Sequence, residues 1–250
     1  MNAVVRTEAL KLVRSPVGAI ATLSLVVGTL ALLGGIAAAV ASGNPELTAK
    51  VGAGGTPDWP GLLTSAAQVT SAGGLLAGGV VLAWLFGREF ADGTVVALFA
   101  LPVGRGHIAL GKLAVYAVWL VVVNTALTGG LLALGAALGY GAPSADTWSG
   151  LGRQLVLGVL MGASATPVAW VATVTHSLLA GVGGAIGLVV LAQVGVLAGA
   201  GGWLPLAAPV LWAVSEGSSV TIVQLGLTLV VTVAFASWTA ASWQRMQVAR

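Results

Sequence analysis

Long runs of hydrophobic residues recur along the chain, with short polar connections between them. Six stretches lack Asp, Glu, Lys and Arg altogether, and each reaches the roughly 20 residues that a membrane-spanning helix needs. They cover residues 17–41, 62–86, 113–138, 155–175, 178–197 and 220–241. A membrane β-barrel would instead alternate polar and apolar residues over about ten positions. The pattern therefore predicts an all-α polytopic membrane protein with six transmembrane helices.

The composition excludes a water-exposed fold. Of the 250 residues, 58% are hydrophobic and 7% are charged, whereas about a quarter of the residues of a soluble domain are charged. So few charges cannot cover a solvated surface. The connections leave no room for a separate soluble domain, so we expect a single transmembrane domain over residues 1–250. The absence of Cys excludes disulfides, thiol catalysis and thiolate metal sites.

The placement of Lys and Arg predicts the orientation, because cytoplasmic flanks of membrane helices carry the excess of positive charge. If the N-terminus is cytoplasmic, only Lys50 and Arg153 lie in connections on the outer side of the membrane. The bases that fall inside are Arg6, Lys11, Arg14, Arg88, Arg105, Lys112, Arg245 and Arg250. We therefore expect a multi-pass protein of the plasma (inner) membrane with both termini in the cytoplasm.

A cleaved signal peptide is the alternative for the first apolar run. Arg6, Lys11 and Arg14 precede it, and it ends in an Ala-Val-Ala sequence at 39–41, which fits a cleavage site. The run is, however, longer than the roughly 7 to 15 apolar residues of a signal peptide, and Glu8 is unusual in its basic flank. A transmembrane helix is the favoured interpretation.

The six runs contain no ionisable residue, which argues against an ion or proton relay inside the membrane. The two histidines, His107 and His176, have no carboxylate at helical spacing. A dyad of His176 with Ser164 or Ser177 has no supporting motif, so an intramembrane enzyme is disfavoured. We expect His176 to be an interfacial residue or a helix cap, and we expect no catalytic residue and no metal site.

Residues 106–113 resemble a phosphate-binding loop, but Leu113 replaces the Ser or Thr that would bind magnesium. The context is also wrong, because the segment leads into an apolar run rather than following a buried strand. The sequence therefore predicts no nucleotide site in this chain. Arg105 and Lys112 are interpreted as anchors at the inner membrane interface.

The connection at 87–111 carries much of the charge of the chain. On a helix, Arg88, Glu89 and Asp92 would share one side and apolar residues the other. This predicts a short amphipathic helix on the inner membrane surface, ended by the Leu-Pro-Val-Gly break at 101–104. The alternative is that its charges serve only to fix the topology.

Two further segments are predicted to lie at the interfaces. Residues 1–16 form an amphipathic helix in which Thr7, Lys11 and Arg14 share one face, opposite a face that includes Val13. Residues 198–219 are apolar but contain Pro and Gly, which predicts re-entrant or interfacial half-helices. Glu216 in this segment is expected to be solvated.

These residues resemble the permease subunits of type 2 ABC transporters, including the bacitracin-resistance-like branch. The resemblance covers the six-span layout. It rests most on a motif in which Glu is followed by any three residues and then by Gly-Thr, with Pro and Arg further on before the third span. The matching positions are Glu8, Lys11, Arg14, Ser15 and Pro16, then Arg88, Glu89, Phe90, Ala91, Asp92, Gly93 and Thr94, then Leu101, Pro102, Val103, Arg105 and Lys112.

The resemblance implies a permease dimer, of two identical or two related chains, that works with two copies of an ATP-binding subunit. No cofactor is expected in this chain, since ATP and Mg²⁺ would be held by that partner. The contact with the partner would involve Arg88, Glu89, Asp92, Gly93, Thr94, Pro102 and Arg105. Glu8, Lys11 and Arg14 in the N-terminal helix would support it. No nucleic acid is implied.

The implied function is ATP-driven export of a hydrophobic or amphiphilic substrate, with hydrolysis in the partner and none in this chain. The alternative is a non-transporting membrane scaffold or sensor that recruits a cytoplasmic partner through the same charged connection. The two differ in whether substrate moves, which the sequence does not decide.

Overall fold

The structure is a computed structural model that describes residues 2–42, 55–100 and 102–247. Within these ranges the chain forms helices and no strands. They are α1 (Asn2–Val13), α2 (Pro16–Ala41), α3 (Trp59–Ala91), α4 (Val95–Phe99), α5 (Arg105–Ala137), α6 (Ala145–Ala163), α7 (Pro167–Thr175), α8 (Leu178–Leu197), α9 (Ala208–Val214) and α10 (Ile222–Arg245). A π-helical turn at Ser24–Gly28 interrupts α2. The predicted all-α architecture is confirmed.

Among the described residues, six helical units are long and apolar enough to cross a membrane, which confirms the six predicted spans. They are α2, α3, α5, α6 together with α7, α8, and α10. Two of them, α3 and α5, have 33 residues each, which corresponds to about 50 Å at 1.5 Å per residue. These helices extend past the charge-free runs and so include Glu89 and Lys112.

Side chains at the helix starts explain where several spans begin. Ser15 Oγ accepts a hydrogen bond from the Gly18 amide at 2.8 Å, and Asp58 Oδ1 accepts one from the Gly61 amide at 2.9 Å. Such caps satisfy amides that have no partner within the helix. At α10, Thr221 and Gln224 form a capping box.

The central helix is α3, which packs against α2, α5, α6, α7 and α8. Glycines on its buried face allow the close approach. A Cβ atom added at Gly87 would lie 2.6 Å from the Cα of Leu178 in α8, and one at Gly79 would lie 2.5 Å from the Cβ of Ala185. The peripheral helices α2, α8 and α10 keep apolar side chains exposed, including Ile20, Leu179 and Ile222.

We name the two ends of the bundle by the helices that lie there. The α1 end carries α1, α4, the start of α5 and the turn at His176, and the α9 end carries α9 and the start of α3. His176 caps α7 in the left-handed conformation, with φ 51°, so its prediction as a helix cap is confirmed. The segment at 198–219 forms a 3₁₀ turn and the short α9.

Two details of the predicted amphipathic segments are wrong. The connection at 87–111 is not one amphipathic helix: α3 continues to Ala91, the chain turns at 92–94, and α4 has only five residues. Gly93 lies in the left-handed region, with φ 66°, which ends the helix there. Leu101, placed at the predicted break, lies outside the described residues, as do Lys50 and Arg250.

The N-terminal segment is helical as expected, but its buried face differs from the prediction. α1 packs on the start of α5 and buries Leu12 together with the charged Glu8. Val13, which was expected on the apolar face, has 78% of its surface exposed. Glu8 can be buried because it pairs with Lys11 and Lys112, whereas a buried charge without partners would be costly.

Candidate functional site

A buried ion cluster joins three helices at the α1 end. Glu8 and Lys11 lie three residues apart in α1, so they point to the same side of the helix. Lys11 Nζ donates to Glu8 Oε1 at 2.8 Å and also to Glu89 Oε1, at the end of α3, at 2.8 Å. α1 is thereby tied to the central helix.

Lys112, in the second turn of α5, completes the cluster. Its Nζ lies 2.8 Å from Glu8 Oε2 and 3.0 Å from Glu89 Oε1. Its side chain is 1% exposed, against 3% for Glu8 and 7% for Glu89. The prediction of Lys112 as an interface anchor is therefore wrong, because two carboxylates draw its ammonium group inward.

The charges of the cluster alternate, with two carboxylates and two ammonium groups. Such a buried arrangement adds little net stability as a whole, but removing one partner costs several kcal/mol because it leaves a charge without compensation. Glu89 Oε2 is buried and has no hydrogen-bond partner in the part of the chain that the structure describes. The cluster is therefore an energetically sensitive point.

Lys11 is the most exposed member, with a third of its side-chain surface open. Burial lowers the pKa of Lys11, but the hydrogen bonds and charges of Glu8 and Glu89 outweigh this and raise the pKa above the ordinary value. Lys11 therefore keeps its positive charge throughout the physiological range.

Aromatic side chains close the cluster off on the side of α10. Trp243 is fully buried, and Lys112 Nζ lies 5.8 Å from the centre of its ring. Phe86 and Phe90 from α3 and Phe99 from α4 contact Trp243 edge to face. Such packing keeps water from the ion pairs and strengthens them. It also joins α10 to the same unit.

The residues next to the cluster are exposed. Arg88 and Asp92 form an ion pair at 2.9 Å with almost half of each side chain open, a geometry worth at most about 1 kcal/mol. Gly93 and Thr94 at the turn are also exposed. Together these exposed residues form a short charged surface that is available for contact with another protein. Its members are Arg88, Ala91, Asp92, Gly93 and Thr94.

The predicted site residues thus fall into two groups. The structure brings Glu8, Lys11 and Glu89 together inside the bundle. It leaves the others at the surface of the α1 end or partly exposed there: Arg14, Arg88, Asp92, Gly93, Thr94, Pro102 and Arg105. Arg105 donates to the backbone oxygen of Met246 and lies over the ring of Phe99, so it also holds the end of α10 in place.

Sequence reasoning missed the roles of Lys112 and Trp243. Lys112 lies in a helix that contains no Asp or Glu, so a buried base there requires carboxylates from elsewhere in the chain. Three carboxylates, Glu8, Glu89 and Asp92, precede it near the same membrane face, which is the signal that could have suggested a pairing. No comparable pattern identifies Trp243.

Comparison with known proteins gives one family. The model of a family described as "ABC-2 family transporter protein" matches residues 4–193. The match includes the ion cluster and the exposed charged surface, and it ends before α9 and α10. None of the curated proteins compared with the chain matches it.

Proposed function

This chain belongs to the ABC-2 family of transporter proteins and is a permease subunit of an ABC transporter, and we propose that it exports a hydrophobic or amphiphilic substrate. The family implies an ABC ATP-binding partner subunit. We propose that two copies of this partner supply the energy and that the permease acts as a dimer. Within the family we place the chain in the bacitracin-resistance-like branch, on the sequence resemblance of Glu89, Gly93 and Thr94.

The orientation belongs to the same proposal. Among the described residues, every Lys and Arg except Arg153 lies at the α1 end. Because cytoplasmic flanks carry the positive charge, we place this end and both termini in the cytoplasm. The exposed surface from Arg88 to Thr94 then faces the compartment that holds ATP.

We propose that the ATP-binding subunit docks on this exposed surface, with Pro102 and Arg105 at its edge. The support is that Arg88 and Asp92 are accessible and carry opposite charges side by side. A partner can recognise such a pair by complementary charges, which favour correct orientation more than raw affinity. Arg14, exposed at the end of α1, would lie close enough to contribute.

The buried cluster gives this docking surface a mechanical connection to the bundle. Glu89 precedes Asp92 by less than one helical turn and is bound to Lys11 of α1 and Lys112 of α5. A displacement of the Asp92 turn therefore pulls on three helices together. For a partner to drive transport, it must bind two arrangements of the bundle with different affinity, and the cluster makes the docking surface move with the bundle.

The observation that carries the proposal is that one family match spans both the exposed surface and the buried cluster. The test is co-reconstitution of the chain with its ATP-binding subunit in proteoliposomes, with measurement of ATP hydrolysis and of substrate movement. We expect both activities to require both proteins. ATP hydrolysis by the partner that is unaffected by this chain contradicts the coupling. Substrate movement that depends on an ion gradient without the partner contradicts the whole proposal.

A further inference from the structure

The α9 end contains a pocket of about 530 Å³ that the cluster and the docking surface do not involve. It lies between the start of α3, the loop before α6, the first turns of α6, and the end of α9. Pockets for small organic molecules have volumes of about 300 to 1,000 Å³. The size therefore fits a small organic ligand.

The charges that line this pocket are unequal. Its described lining contains three acids, Asp58, Asp146 and Glu216, and one base, Arg153. Arg153 is already engaged, because it lies 3.2 Å from Glu216 and donates to Ser149 at 3.0 Å. Glu216 is solvated as expected, with 76% of its side chain exposed, and also pairs with Arg153. Asp58 and Asp146 have no base opposite them among the described lining residues, so the pocket has an excess of negative charge.

The walls add aromatic and hydrogen-bonding groups. Trp59 and Tyr140 line the pocket and contact each other edge to face, with 6.1 Å between ring centres. Burial and the nearby charge of Asp58 raise the pKa of Tyr140. Aromatic faces next to carboxylates attract organic cations.

Gln154 supplies a further acceptor in the lining. Its side chain donates to Thr70 at 2.7 Å, but its Oε1 has no hydrogen-bond partner in the described part of the chain. The residue is only 4% exposed. An unpaired buried acceptor is costly, and an ammonium group, which carries only donors, would satisfy it.

From the pocket, its excess of carboxylates and its aromatic wall, we propose that the α9 end binds an organic ammonium ligand with an apolar body. The apolar part contacts Tyr140 and Leu63, which are partly exposed, and the ammonium group lies near Asp58 and Asp146. This binding needs neither ATP nor a partner subunit, so it can be measured on the permease alone and stands apart from the proposed export.

The experiment measures binding of 4-phenylbutylammonium to the purified chain in lipid nanodiscs by calorimetry, with empty nanodiscs subtracted. The neutral 4-phenylbutanol and the anionic 4-phenylbutyrate serve as probes of nearly the same shape. We expect saturable binding of the ammonium probe, at least about tenfold tighter than either comparator, since two carboxylates attract the ammonium charge, do not attract the alcohol and repel the carboxylate probe.

The variant for this test is Asp58→Asn combined with Asp146→Asn, because Asn is as good an N-cap as Asp at position 58 and the cap of α6 is Ser144, which the variant keeps. We expect this double variant to bind the ammonium probe at least about tenfold more weakly than the native chain, while its thermal unfolding temperature stays unchanged. The matched control Asp92→Asn, at the opposite end, should bind like the native chain. Glu216→Gln should weaken the ammonium probe and strengthen 4-phenylbutyrate, because it leaves Arg153 without its partner.

Three results would overturn the proposal. They are no saturable binding of the ammonium probe, equal binding of the anionic or neutral probe, and unchanged binding in the folded double variant. If the double variant does not fold, the test is the Glu216→Gln variant, which should bind the ammonium probe more weakly and 4-phenylbutyrate more tightly than the native chain. If neither affinity changes, the assignment is rejected.

Discussion

Lys112 Nζ lies 2.8 Å from Glu8 Oε2, although the two residues are 104 positions apart in the sequence. This contact ties the N-terminal helix to the helical bundle. Because both side chains are almost fully buried, the pair is a fixed structural connection. A force applied to α1 or to the end of α3 reaches α5 through it.

Removing the ammonium group of Lys112 should destabilise the protein strongly. Lys112→Met leaves Glu8 and Glu89 with only Lys11 between them, and breaking a buried pair in this way costs about 3–5 kcal/mol. Unfolding of the purified protein by denaturant in detergent measures the loss. The control is Arg14→Met, an exposed base outside the cluster, which should change stability by no more than about 0.5 kcal/mol. Equal effects of the two variants would show that the cluster is unimportant.

The glycine at position 87 should be essential for the packing of α3 against α8. A Cβ there would meet the backbone of Leu178 at 2.6 Å, so Gly87→Ala must move a helix and should cost about 1–3 kcal/mol. Gly73 lies in the same helix, and a Cβ there meets nothing within 4 Å. Gly73→Ala should therefore cause no loss of stability. The same unfolding assay compares the two, and a tolerated Gly87→Ala would contradict the close packing.

The stability cost of substitutions at Gly93 should depend on backbone conformation alone. The φ of this glycine is 66°, and a Cβ there would meet no other atom within 4 Å. Gly93→Ala should cost about 1–2 kcal/mol from the left-handed conformation, and Gly93→Asn should cost less because Asn tolerates it better. Stability measurements on both variants check the order. If Ala and Asn behave alike and neither destabilises, the turn does not adopt this conformation in the protein.

The pKa of Lys11 predicts how its contribution varies with pH. The pKa in the folded protein is raised above 10.5, so the ion pairs of Lys11 contribute fully below that pH and are lost as the pH rises through the folded-state pKa. The stability difference between the native protein and Lys11→Met should therefore be constant from about pH 7 to pH 9. It should shrink only above pH 10.5. A difference that shrinks near neutral pH would rule out the ion pairs.

The sequence predicts the spans well because apolar runs longer than 20 residues have few other structures available. It does not predict the side chains that meet inside the bundle. Glu89 and Asp92 look equivalent on a helix that includes both, yet one is buried and the other exposed. What separates them is the position of Lys11 and Lys112, which depends on how α1 and α5 pack on α3. Local periodicity contains no information on that packing.

The role of Lys112 was missed for a related reason. A base close to the predicted membrane boundary can extend its side chain to the interface, and this is the ordinary outcome at such a position. Here two carboxylates are close enough to bind it inside the bundle. Only the three-dimensional arrangement of α1, α3 and α5 shows that the Lys112 side chain lies inside the bundle.

The central claim is that the exposed surface at Arg88 and Asp92 transmits the work of an ATP-binding subunit. The most direct test exchanges the two charges, Arg88→Asp together with Asp92→Arg, which preserves an ion pair at the same spacing but reverses the charges that a partner meets. In proteoliposomes with the ATP-binding subunit, we expect ATP hydrolysis stimulated by the permease to fall by at least about tenfold, which corresponds to roughly 1.4 kcal/mol, with unchanged thermal stability. Full stimulation by the exchanged variant would contradict the claim.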